Sequence, residues 1–174
     1  GVDCWYGPIN LGWDFCFYGT QYSSAYLTSK GTVVFGGGYY DWTPSEFPTP
    51  ITTDNEYNHL AAFWADADYR QTGMVYFKVT PEALYINYMD VGYYSNHGDK
   101  TNSYQVIITP NSSDVLGAEN NVQYCYGDMQ WCHGDVGGAG GCSGATPATV
   151  GADKSTGGEH IQFGRFGECT DDYN

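Results

Sequence analysis

The chain has 174 residues, of which 17% are aromatic and 15% are charged, and its formal net charge is −14. This length is sufficient for one domain with a substantial core, and the aromatic content argues against a disordered chain. Six Lys and Arg stand against 20 Asp and Glu, which argues against nucleic acid as a partner. The acidity indicates either a plain secreted surface, which we favour, or an affinity for cations. No apolar run reaches membrane-spanning length, and we interpret Gly1 as a processed N-terminus.

In chain order, short runs of alternating apolar residues are separated by Gly, Pro, Asn and Asp, which predicts an all-β antiparallel sandwich with long Gly/Pro-rich loops. Residues 13–18 form the first expected strand, with Trp13, Phe15 and Phe17 on one face. Residues 25–28 and 32–35 are expected to form a hairpin, with Gly31 at positive φ in its turn. Later strands are expected at residues 83–90, 103–109, 121–126 and 160–166.

The most informative stretch is 61–68, followed by an apolar run at 73–79. It predicts a strand, a polar turn at 69–72 and a second strand. A period of two assigns the odd-numbered residues, Ala61, Phe63, Ala65 and Ala67, to an apolar face. It assigns the even-numbered residues to the opposite face, namely Ala62, Trp64, Asp66 and Asp68. Two carboxylates would therefore project in the same direction.

Two loops stand apart from this pattern. Residues 43–53 are rich in Pro and hydroxyl groups, which predicts an extended surface loop and a possible carrier of O-glycans. The candidate acceptors in it are Thr43, Thr49, Thr52 and Thr53. Residues 134–144 contain too many glycines for us to expect a strand. Asn111 lies in an Asn-Ser-Ser sequon and is a candidate for N-glycosylation in a eukaryotic secretory source.

The six cysteines are an even number without Cys-x-x-Cys spacing, which predicts three disulfides in an oxidising compartment. The sequence leaves their connectivity open. Our preferred set pairs Cys4 with Cys16, Cys125 with Cys132, and Cys142 with Cys169. It assumes that the segment between Cys125 and Cys132 turns back on itself.

Seven segments follow one another in a characteristic order. The most specific is Ala-Phe-Trp-Ala-Asp-Ala-Asp at 62–68, and the others are residues 11–19, 26–36, 73–77, 90–94, 102–108 and 126–131. Taken in this order, they resemble the nidogen-like extracellular (NIDO) domain family. The resemblance covers about residues 11–152 of one domain that spans 1–174, and it leaves 1–10 and 153–174 outside. The chain has Lys30-Gly31 where the family tends to have Asn-Gly, and Cys16, Cys125, Cys132 and Cys142 resemble local additions. The resemblance implies an extracellular module of matrix and cell-surface proteins, without established catalysis.

Asp66 and Asp68 are the candidate ligands for a metal ion, and Ca²⁺ fits their chemistry because it prefers oxygen ligands. A further carboxylate would have to complete the shell, from Asp90, Asp99, Asp128 or Asp135. The alternative is that Asp66 and Asp68 cap turns or pair with Arg70. We favour this alternative because the chain lacks the spacing of a calcium-binding loop.

Nothing in the sequence indicates an enzyme. A glycoside hydrolase needs carboxylates on opposite sides of a bond, whereas Asp66 and Asp68 are expected on one face. Ser143 lacks the Gly-x-Ser-x-Gly motif, and the four histidines, His59, His97, His133 and His160, lack metal-binding spacing. The aromatic clusters at 39–42 and 93–97 must leave some rings exposed, which indicates a binding surface.

The expected function is that of a secreted structural or adhesive module, a subunit of an extracellular matrix or a self-assembling fibre. Its partners would be copies of itself or other matrix and surface proteins, joined through sheet edges or through residues 1–10 and 153–174. The alternatives are a carbohydrate-binding, lectin-like protein and a calcium-dependent adhesion protein. A hydrolase is the least favoured class.

Overall fold

The computed structural model describes residues 3–49, 58–134, 143–155 and 158–168. These residues form eleven strands and contain no helix that could cross a membrane. The strands are β1 (Trp5–Phe17), β2 (Thr20–Thr28), β3 (Thr32–Phe35), β4 (Asn58–Trp64), β5 (Ala67–Asp68), β6 (Met74–Val79), β7 (Leu84–Tyr93), β8 (His97–Ile108), β9 (Val122–Met129), β10 (Ser143–Asp153) and β11 (His160–Glu168).

The strands form two antiparallel sheets. The first sheet has six strands in the order β1-β2-β3-β4-β10-β11. The second has five, in the order β5-β7-β8-β9, with β6 also paired to β7. One apolar core lies between them and includes Phe15 and Leu60 from the first sheet and Ile86 and Val106 from the second. The predicted all-β antiparallel sandwich is therefore confirmed.

Several local predictions are also confirmed. β2 and β3 form the expected hairpin, and Gly31 in its turn has a φ of 80°. Phe15 and Phe17 are buried in the core, while Trp13 is half-buried and donates its indole N–H to the carbonyl of Thr80. Strands also occupy the later segments where they were expected, as β6 to β9 and β11.

The predicted continuous strand at 61–68 is wrong. β4 ends at Trp64, and the chain then crosses to the second sheet, where β5 begins at Ala67. Within β4, Trp64 lies opposite Thr149 and Ala61 lies opposite Gly151, so three steps along β4 match two steps along β10. This bulge breaks the alternation of faces. Ala62 and Phe63 therefore both join the main core, whereas Ala61 and Trp64 pack in a second cluster on the outer face.

The predicted loop at 43–53 is confirmed for its described part, which contains no strand, but several of its residues are buried rather than at the surface. Residues 41–49, called the strap below, pack across the outer face of β4, β10 and β11. Phe47 is buried against Trp64 and His59, and the backbone N–H of Thr49 donates to the Asp153 carboxylate. The burial of Phe47 draws this Pro-rich segment onto the sheet. Residues 50–53 of the predicted loop, with Thr52 and Thr53, lie outside the described residues.

β10 is the strand that the sequence did not predict. It begins at Ser143, inside the segment for which no strand was expected, and it lies between β4 and β11. Its glycines and Pro147 hide it from a pattern-based prediction because both residues are unfavourable in strands. Residues 135–142 of the glycine-rich segment, including Asp135, lie outside the described residues.

The predicted disulfides between Cys4 and Cys16 and between Cys125 and Cys132 are wrong. Cys4 directly precedes β1 and Cys16 lies near its end. The partners of Trp5 and Cys16 on β2, Thr28 and Gln21, lie seven residues apart, a separation of roughly 23 Å, whereas bridged Cα atoms lie roughly 4.4–6.8 Å apart. Cys125 lies within β9, which continues in extended form to Met129 and does not turn back towards Cys132. Cys142 and Cys169 lie outside the described part of the chain. The structure therefore does not support the predicted set of three disulfides.

Candidate functional site

The site is built where the chain crosses from one sheet to the other. Asp66 lies between β4 and β5, and Asp68 ends β5. The turn between β2 and β3 docks against this crossover, because the N–H of Ala65 donates to the carbonyl of Lys30 and that of Phe63 to the carbonyl of Gly31. A Cβ at Gly31 would lie 2.1 Å from the Phe63 carbonyl oxygen, so only glycine permits this approach.

Lys30 is the cation at the centre of the site. Its Nζ lies 2.5 Å from Oδ1 of Asp66, 2.8 Å from the carbonyl oxygen of Ala67 and 2.9 Å from Oδ1 of Asp3. These three oxygens match the three N–H donors of an ammonium group. The Lys30 side chain is 1% exposed and that of Asp66 is 7% exposed, whereas that of Asp3 is 43% exposed. A buried ion pair is thus flanked by a second carboxylate that reaches solvent.

Burial raises the pKa of the Asp66 carboxyl above its ordinary value, since it penalises the charged form. The hydrogen bond and the charge of Lys30 oppose this rise, while the charges of Asp3 and Asp68 add to it. Asp66 therefore holds a proton more readily than an ordinary aspartate does.

Asp68 forms an ion pair with a different cation, Arg70. Its carboxylate accepts hydrogen bonds from Nε and Nη2 of Arg70 and from the backbone N–H groups of Arg70 and Asn96. Burial alone would raise the pKa of this carboxyl, but these bonds outweigh it, and the net pKa is lowered. Asp68 therefore caps a turn and pairs with Arg70. This was the alternative to calcium binding that the sequence favoured.

The residues that would complete a calcium shell lie elsewhere. Asp90 accepts a bond from Ser103, Asp99 from Tyr93, and Asp128 from Gln130. Across residues 3–49, 58–134, 143–155 and 158–168, no three His, Cys, Asp or Glu side chains are grouped so as to hold a metal ion. A calcium ion at Asp66 and Asp68 would have to displace Lys30 and Arg70. The arrangement is poorly suited to calcium, and binding there stays a prediction.

Aromatic side chains pack against the turn that carries Lys30. The Tyr88 hydroxyl lies 3.3 Å from the carbonyl oxygen of Thr28 in the same turn, and the Tyr104 ring stacks on Tyr88. Burial raises the pKa of both phenols. A Cβ at Gly134 would lie 2.6 Å from Cβ of Asp66, so the chain closes tightly over that residue. The centre is therefore buried, and Asp3 is its most exposed member.

The sequence analysis missed Lys30 and Asp3 as site residues. Lys30 was noted only as a turn residue that departs from the family's Asn-Gly. The low number of basic residues was the available signal, since the chain has only six Lys and Arg in all and one of them lies in this turn. Long-range pairing across residues 30 and 66 could not be read from the sequence because it depends on how the hairpin docks.

The other candidate residues are dispersed. Asn111 and Thr43 are exposed and accessible for glycosylation, whereas Thr49 is 6% exposed, which argues against a glycan there. His59 and His133 are buried, His97 stacks on Tyr93, and His160 is exposed. The predicted exposure of some clustered aromatics is confirmed by Tyr40, Trp42 and Tyr94.

A second notable surface follows the edges of the sheets. β1 and β11 are the outer strands of the six-stranded sheet, and large exposed apolar side chains lie on both: Trp5, Tyr6, Ile161 and Phe163. An open groove of about 470 Å³ lies between β1 and β6 and is lined by Tyr6, Leu27, Met74, Val75 and Phe77. Exposed apolar patches of this kind are typical of interaction surfaces.

The fold is that of an antiparallel β-sandwich with a buried ion-pair centre at its sheet crossover. The family model described as NIDO related matches residues 2–165, so the chain belongs to this family. The match extends beyond the expected 11–152 at both ends and includes the whole of β1. No solved structure matches the chain. Domains of this family are typically extracellular modules.

Proposed function

We propose that the protein is an extracellular, non-catalytic structural module whose copies join into a matrix or fibre through the edges of the six-stranded sheet. The observation that carries this proposal is the pair of edge strands, β1 and β11, each bearing large exposed apolar side chains. Unpaired edge strands present backbone donors and acceptors that favour pairing with another chain.

Strand direction suits this mode of joining. The six strands pair antiparallel with each neighbour, so strand direction alternates across the sheet and β1 and β11 run in opposite directions. When one copy is translated alongside another, β11 of the first copy meets β1 of the second in antiparallel orientation. The ladder of hydrogen bonds could then continue from copy to copy, which generates an open filament rather than a closed dimer.

The side chains also support this pairing. Ile161 lies opposite Ala152, which packs against the core, so Ile161 faces the same side of the sheet as the core. Tyr6 lies opposite the buried Leu27 and therefore faces the same side, beside Phe77 in the groove. If β11 of one copy paired with β1 of the next, Ile161 would enter the open groove. Full burial of one such side chain contributes about 1.5–3 kcal/mol.

The experiment compares three single variants by sedimentation and electron microscopy at high protein concentration, with and without Ca²⁺. Tyr6→Lys and Ile161→Lys place a charge on each edge, and Val115→Lys alters an exposed apolar residue in the loop between β8 and β9. We expect filaments or large oligomers from the parent protein and from Val115→Lys, but monomers from both edge variants. A parent protein that stays monomeric under all conditions would contradict the proposal.

A further inference from the structure

Lys30, Asp66 and Asp3 form an arrangement that an ordinary ion pair does not require. Burying an ammonium group and a carboxylate is costly, because neither charge recovers the hydration that it loses. Here the pair is almost fully buried, with Nζ 2.5 Å from Oδ1 of Asp66, and a second carboxylate lies 2.9 Å from the same nitrogen. One carboxylate would suffice to neutralise Lys30, so the second needs another explanation.

We propose that Nζ of Lys30 and Cγ of Asp66 condense into an amide, an intramolecular isopeptide cross-link, with release of one water molecule. The reaction needs no oxidant, metal or co-substrate. An ammonium group and a carboxylate are converted into a neutral secondary amide and water, so atoms and charge balance.

The neighbouring groups supply each proton transfer. The ammonium proton that lies along the hydrogen bond to Asp66 moves to that carboxylate, which leaves a neutral amine and a neutral carboxyl group. The nitrogen lone pair then forms a bond to Cγ, and the C=O electron pair moves onto oxygen. Asp3 accepts a proton from the nitrogen and delivers it to the hydroxyl group, which leaves as water as the C=O bond re-forms. Asp3 ends as a carboxylate, as it began.

The surroundings favour both the reaction and its product. Burial raises the pKa of Asp66, which favours the neutral carboxyl group that an amine can attack. The carbonyl of Ala67 holds Nζ in place and can accept the single N–H of the amide. Condensation removes two buried charges, so the desolvation cost of the ion pair disappears. The Asp3 carboxylate is half in solvent, where it can exchange protons.

The test is the intact mass of the folded protein, produced in a bacterial host and then denatured, reduced and alkylated. Reduction breaks any disulfide and alkylation adds a known mass at each of the six cysteines, so the mass of the sequence below means that of the chain with its cysteines alkylated. We expect a mass lower than that of the sequence by one water, trypsin resistance after Lys30, and tandem spectra that join the peptide of Lys30 to that of Asp66. A parent protein with the full mass of its sequence after folding and prolonged incubation would overturn the proposal, and Lys30 and Asp66 would then be an ion pair only.

Variants identify the residues responsible. Lys30→Arg keeps the positive charge and Asp66→Ala removes the acceptor, and both are expected to restore the full mass. Asp3→Asn is expected to slow the reaction and give a mixture of both masses, and an unchanged rate would contradict the role of Asp3. The matched control is Lys154→Arg. Nζ of Lys154 lies 2.7 Å from Oε2 of Glu159 in a pair that reaches solvent and should not condense. This variant should therefore still lose one water, as the parent protein does. The parent mass decides the proposal even if a variant fails to fold.

Discussion

Asp66 and Asp68 lie two residues apart, yet the fold shifts the pKa values of their carboxyl groups in opposite directions. The folded pKa of Asp66 is raised by burial, so its ionisation in the folded protein costs stability as the pH rises above the ordinary value of 3.8. The folded pKa of Asp68 is lowered by the hydrogen bonds from Arg70 and Asn96, so its ionisation adds stability above that value. Burial raises the pKa of both carboxyls, and the hydrogen bonds that Asp68 accepts from Arg70 and Asn96 reverse its effect there.

Asp68→Asn is therefore expected to change the acid limb of the stability curve. The contribution of Asp68 is fully present above its unfolded pKa and is lost as the pH falls through that value towards the lower folded pKa. The free energy of unfolding of the variant should fall below that of the parent near neutral pH, and the two should converge in acid. Urea denaturation at a series of pH values measures this, with the exposed Asp14→Asn as the control. A difference that is constant with pH would contradict the assignment.

At the scale of single elements, the crossover after β4 organises the molecule. The bulge within β4 directs Trp64 to the outer face, where the strap packs on it, and the chain then enters the second sheet at β5. The strap is attached by the stacking of Phe47 and by polar bonds such as that from Thr49 to Asp153. The outer face of β4 is thereby buried like the inner one.

Phe47→Ala is expected to lower the free energy of unfolding by about 3 kcal/mol, since it leaves a cavity over Trp64 and releases the strap. Trp42→Ala, in the same segment but 51% exposed, should change it by less than about 0.5 kcal/mol. Urea denaturation followed by tryptophan fluorescence measures both. Equal effects of the two substitutions would show that the strap does not cover the sheet in solution.

The hairpin around Gly31, the strand at Phe15 and Phe17, and the later strands could be predicted because short-range alternation and turn chemistry specify them. The bulge in β4 could not, because the tertiary contacts of Trp64 with the strap override strict alternation. β10 was missed because its neighbours β4 and β11 hold it in place despite its glycines and Pro147. At the site, Asp66 and Asp68 were singled out from the sequence, but as carboxylates on one face of a continuous strand, and the crossover between β4 and β5 was not predicted. Lys30 and Asp3 were not, because their pairing depends on contacts distant in sequence.

At the scale of the whole molecule, the net charge of −14 opposes any association of copies. Edge pairing would have to overcome this repulsion with apolar burial and backbone hydrogen bonds. Salt reduces the repulsion without weakening either of these attractions, because the Debye length falls from about 30 Å at 0.01 M to about 8 Å at 0.15 M.

Association is therefore expected to strengthen as the salt concentration rises from about 0.01 M to about 0.15 M. Light scattering or sedimentation at fixed protein concentration measures the change, and NaCl and KCl should act alike because screening is not specific. Association that weakens with salt would indicate ion pairing between copies in place of apolar edge contact.

The two edges of the larger sheet are different strands, β1 and β11, which has a consequence for growth. A filament built by adding β1 of each new copy to β11 of the last would be polar, with β11 exposed at one terminus and β1 at the other. The two termini would then elongate at different rates, and a peptide that copies β11 would cap only the terminus that exposes β1. Such a filament could be attached to a surface at one end and extended from the other.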